Sequence, residues 1–62
     1  MNRPRELLRI TEVAEWTGFS VATFRHWRAT GQGPKCTVIG KQLVYRQSDV
    51  QAWLDAQFEA AS

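Results

Sequence analysis

The spacing of apolar residues changes several times along this chain, and each change marks an element. Leu7, Leu8 and Ile10 lead into the fold. Val13, Ala14 and Thr17 then fall on one side of a helix at about 100° per residue. Thr11 is placed to cap this first helix, with Glu12 in its first turn, where the helix dipole favours an acid. Gly18 closes the helix in the left-handed conformation. Phe19 plugs the turn, and Ser20 caps a second helix expected over Val21–Thr30, ending near Gly31. Gly31-Gln32-Gly33-Pro34 is turn chemistry. The period then shortens. Thr37-Val38-Ile39 and Leu43-Val44-Tyr45 flank Gly40-Lys41-Gln42 as a short hairpin with Lys41 at its tip. Ser48 caps a last helix with Asp49 in its first turn. There Val50, Trp53, Leu54, Gln57 and Phe58 follow helical spacing and bring the helix back over the core. Residues 1–6 are read as a flexible polar arm and residues 59–62 as a frayed tail.

The second helix divides sharply. Thr23, Phe24 and Trp27 share one side, whereas Ala22, Arg25, His26 and Ala29 lie opposite, with Val21 and Arg28 on the flanks. One face is apolar and the other small or basic. Two helices joined by a tight turn containing Gly form the helix-turn-helix pattern, whose second helix enters the major groove of DNA. The charge distribution agrees with that reading. From Trp16 to Ser48 there are five basic residues (Arg25, Arg28, Lys35, Lys41, Arg46) and no acidic one, and all six acids lie outside that stretch. The net charge of +2 hides this segregation, which is the electrostatic footprint of a nucleic-acid binder.

Composition narrows the alternatives. The 62 residues make one domain, too small for a deep substrate cavity. The single cysteine, Cys36, has no internal disulfide partner and reads as a small apolar residue; no Cys/His cluster has zinc spacing. Trp27 and Trp53 sit on apolar helical faces and belong to the core, and Trp16 is intermediate. There is no Ser/His/Asp set, no metal cluster and no Gly-rich phosphate loop, so an enzyme is not expected, nor any cofactor or metal. No apolar run approaches a membrane span and no signal peptide is visible, so a cytoplasmic protein without membrane contact is expected.

The segment TEVAEWTGFSVATFRHW resembles the start of the mercury-resistance-regulator (MerR) superfamily, through Gly18-Phe19-Ser20 and Thr23-Phe24-Arg25-His26-Trp27. The remainder is similar to the small stand-alone branch of excisionases and prophage regulators. Gly33-Pro34, Lys41, Tyr45-Arg46 and Ser48-Asp49 with Trp53-Leu54 carry that likeness, which spans about Leu8 to Phe58. The resemblance implies a winged helix-turn-helix: mainly α, with a two-stranded wing and a C-terminal helix. It implies a second helix in the major groove, with Arg25 and His26 facing the bases. Lys41 and Gln42 match the wing tip, and Arg46 matches the basic residue after the wing tyrosine. Val38 and Val44 stand where relatives often carry Arg or Lys, so this wing is less charged.

The candidate DNA-binding residues are therefore Ser20, Ala22, Thr23, Arg25, His26, Arg28, Lys41, Gln42 and Arg46. Arg in the groove offers a bidentate donor pair to guanine, and Ala22 permits close approach. Arg28 suits a phosphate, as do the Ser20 and Thr23 hydroxyls at a helix N-terminus. His26 lacks a partner for metal binding. Val38 and Val44 are placed to pair across the hairpin; facing solvent together, they would offer an apolar patch to a second copy. By analogy with excisionases, the expected partners are double-stranded DNA, further copies on adjacent sites and a phage integrase. The alternatives are a small prophage-type transcription regulator and, from another class, a protein-interaction module that does not bind DNA.

Overall fold

The computed structural model describes residues 6–61. In chain order the elements are β1 (Leu7–Leu8), α1 (Ile10–Thr17), α2 (Val21–Thr30), β2 (Cys36–Ile39), β3 (Gln42–Arg46) and α3 (Gln47–Ala61). The mainly α architecture with a small hairpin is the winged helix-turn-helix the sequence leads one to expect. The hairpin is enlarged by one strand. β1 pairs antiparallel with β3, giving a three-stranded sheet in the order β1-β3-β2. Residues 1–5 of the expected arm lie outside the described residues. Glu6, its last residue, accepts a 2.6 Å hydrogen bond from the Gln47 N–H through its carbonyl. At the other end, α3 is helical through Ala61, past the expected start of the tail, and Ser62 lies outside the described residues.

Three helix boundaries test the capping rules. Ser20 caps α2 as expected, its hydroxyl accepting from the Thr23 N–H at 3.1 Å. The other two caps differ from expectation. Arg9, not Thr11, precedes α1. The Glu12 carboxylate reaches back to accept from the Arg9 N–H at 2.8 Å, half of a capping box, and this fixes the start two residues earlier. Ser48 is not a cap either, because α3 begins at Gln47, directly after β3. The Glu6 carbonyl takes up the Gln47 N–H at that junction. Gly18 and Gly31, both left-handed, end α1 and α2.

In the hairpin, Ile39 pairs with Gln42, so Gln42 belongs to the strand and the loop is only Gly40-Lys41. Gly40 has φ 57°, as the first position of a two-residue loop of type II′ requires. Thr37 pairs with Val44 and Val38 with Leu43. The expected Val38–Val44 pair is thus out of register. Val38 is 54% exposed and Val44 only 7%; they lie on opposite faces of the sheet, and the shared apolar patch does not exist.

The core gathers Val13 and Ala14 of α1, Phe24 of α2, Tyr45 of β3 and Val50 of α3. Phe24 is its hub. Its ring makes edge contacts with Trp27, Tyr45 and Phe19, at centroid separations of 5.3, 6.2 and 6.3 Å, and a tilted contact with Trp53 at 6.2 Å. Phe19 does not plug the turn completely: it packs edge-on against Phe24 and Trp27, yet stays 47% exposed. Gly33 has φ 81°, and a Cβ there would meet the Trp27 Cβ at 3.1 Å; the turn needs glycine both for its backbone and for the close passage of the indole. Phe58 departs furthest from expectation. It is 76% exposed, because α3 outruns the body beneath it. Packing ends at Trp53 and Leu54, and the last two turns line an open apolar groove with Phe19 and Trp27.

Candidate nucleic-acid interface

The inward anchoring of α2 determines what it shows to solvent. Phe24 is 1% exposed, and Trp27 packs against Trp53 with ring centroids 5.3 Å apart. With that side fixed, Ala22, Arg25, His26, Arg28 and Ala29 all face water. This is the separation the helical spacing requires: a small and basic strip on a helix whose back is locked by aromatic packing. The chemistry of that strip suits a major groove, where arginine reads guanine and small residues allow close approach.

At the N-terminus of α2, Ser20 is exposed and Thr23 half-buried. Their hydroxyls lie 2.9 Å apart and share a hydrogen bond, while Ser20 also accepts from the Thr23 backbone. The cap thus holds both hydroxyls beside the positive end of the helix dipole, the place where a phosphate is favoured. Burial pushes the Tyr45 hydroxyl up to about 12, with the neighbouring Cys36 adding to the rise and the Arg28 charge opposing it.

The wing contributes Lys41 and Gln42, both exposed. Gln42 does not stand alone, because its side-chain oxygen accepts a hydrogen bond from Nη2 of Arg9. Arg9 is a residue that sequence reasoning missed. It lies between β1 and α1, outside the basic stretch, and only the pairing of β1 with β3 brings it to the wing. The signal available was the Glu12 carboxylate three residues later, which marks Arg9 as the helix boundary. Arg46, at the far end of β3 from the tip, is exposed and pairs with Asp49 at 3.7 Å. Such a surface pair adds little stability, but it offsets the arginine's charge. The structure therefore brings the α2 candidates onto one strip and Lys41 and Gln42 together at the tip, and leaves Arg46 in a different setting beside α3.

Among the described residues no three His, Cys, Asp or Glu side chains gather as a metal-binding group, and no helix is long and apolar enough to cross a membrane. The family profile described as "Helix-turn-helix domain" matches residues 7–57, from the first residue of β1 almost to the end of α3. No curated protein matches the chain. A helix-turn-helix domain presents its second helix to double-stranded DNA, and α2 has the surface for that task. The chain belongs to the helix-turn-helix domain family.

Proposed function

We propose that this chain is a sequence-specific DNA-binding protein of the excisionase type. It occupies repeated short sites with neighbouring copies, bends the duplex and so favours excision by a phage integrase. It works in the cytoplasm as a binding protein, without catalysis of its own. The observation that carries the DNA-binding part is the two-sided α2: Phe24 and Trp27 locked inward, Arg25, His26 and Arg28 outward. The excisionase part rests on the resemblance across Leu8 to Phe58. A single module of this kind buries on the order of 600–1,000 Å² on DNA, so neighbouring copies supply affinity that one copy lacks. A helix in one groove and a wing beside it also favour deformed DNA, where bending is repaid by added contacts.

The decisive experiment is footprinting on the DNA flanking the coding region, joined to a mobility assay with the site moved along a fragment. Clustered repeats, filled cooperatively and bent, support the proposal. One unbent promoter site would make the chain a small prophage-type transcription regulator instead. Binding that does not weaken with salt, or no binding, would make it a protein-interaction module, since phosphate contacts impose a steep salt dependence. Lys41→Ala is expected to lower affinity for all sequences and to flatten the salt slope by about one unit.

A further inference from the structure

We infer that Arg9, held along the outer face of the wing by Gln42, is a phosphate-binding cation that joins Lys41 among the wing's DNA-facing charges. This rests on the DNA-binding reading above. The strand register places Arg9. Leu7 pairs with Arg46 and Leu8 with Tyr45, so Arg9 follows on opposite Val44. Alternate residues of a strand share a face, and Gln42, Val44 and Arg46 lie on the face away from the buried Tyr45. The Arg9 side chain runs along that face toward the hairpin tip, two residues or about 7 Å on, where Nη2 donates to the Gln42 side-chain oxygen. Val44 lies on this path. It is 7% exposed although it faces away from Tyr45.

The bond decides what the tip can recognise. A glutamine amide has one acceptor oxygen and an NH2 donor group. Arg9 engages the oxygen, and Lys41 is the next residue toward the tip. The tip thus carries a guanidinium and an ammonium, charges that suit a phosphate oxygen. Gln42 is neutral, so it orients the guanidinium without neutralising it. Arg46 is in the opposite position: Asp49, 3.7 Å away, offsets its charge. Gln42 is thus a positioning residue for Arg9 as well as a neighbour of Lys41.

The test is the salt dependence of binding to a mixed-sequence DNA duplex, measured for the wild type, Arg9→Met, Arg9→Lys and Gln42→Glu, each checked for folding by thermal melting. Methionine keeps an unbranched apolar stem and removes the charge. The expected result is a log–log slope shallower by about 0.9 for Arg9→Met, restored by Arg9→Lys. Gln42→Glu ties Arg9 into an ion pair and is expected to flatten the slope as well; it carries the test if Arg9→Met does not fold. A folded Arg9→Met protein with the wild-type slope would overturn the assignment while leaving DNA binding intact. A wild-type protein whose binding ignores salt would overturn both.

Discussion

Arg25 and Phe24 are adjacent in the chain and opposite in environment, and function depends on keeping them so. Arg25 packs against nothing in the core, so Arg25→Ala is expected to leave folding unchanged. It is expected to weaken binding to the specific site by about 1–3 kcal/mol and to relax sequence preference. Titrations of the specific and a scrambled duplex, run side by side, check both effects; equal losses on the two would reassign Arg25 to the phosphates. Tyr45 makes a second prediction at this scale. Its hydroxyl is raised from 10.0 to about 12, first by burial and then by Cys36. The unfolded chain therefore loses this proton at lower pH than the folded one. The stability the buried phenol contributes is whole below about pH 10 and drains as pH rises toward 12, by roughly 2–3 kcal/mol in all. Tyr45→Phe keeps the ring against Phe24 and removes this term. Denaturant unfolding across that window is expected to give a flatter stability curve for the variant than for the wild type.

At the scale of elements, the helix-turn-helix is the best-specified part. Ser20→Ala removes the hydroxyl that accepts the Thr23 N–H and is expected to cost about 1 kcal/mol, read as a lower denaturant midpoint with an unchanged slope. The limits of α2 were legible because both signals are local: a serine at one end and a glycine at the other. Other limits depended on distant residues. β1 has two residues, too few to show alternation, and its existence depends on β3, nearly forty positions later. The start of α1 turned on Glu12 reaching back to Arg9, which outweighed the better cap residue Thr11. Ser48 resembles a cap in sequence but is not one, because β3 runs into α3 without a connecting loop. The strip on α2 follows from helical period alone, whereas the place of Arg9 at the wing depends on the strand register.

At the scale of the whole molecule, a chain this short hides a modest share of its surface, and its stability depends on a few large side chains. Trp53 joins α3 to Phe24 and Trp27. Trp53→Ala is expected to cost roughly 3–5 kcal/mol, enough to unfold much of the population of a domain whose total stability is of order 5 kcal/mol. Phe58→Ala also removes a large aromatic group, from a position 76% exposed, and is expected to cost well under 1 kcal/mol. Circular dichroism melts of the two variants check the contrast, and similar losses would mean that α3 turns back onto the body in solution. The Trp27–Trp53 contact has an optical consequence. Indoles 5.3 Å apart and inclined at 53° share their excitation, and coupled chromophores of this kind give a bisignate ultraviolet dichroism band. That band vanishes when either ring is removed or when the helices part. The molecule thus carries its own spectroscopic gauge of whether α3 is seated behind α2, readable without any label as the protein is unfolded.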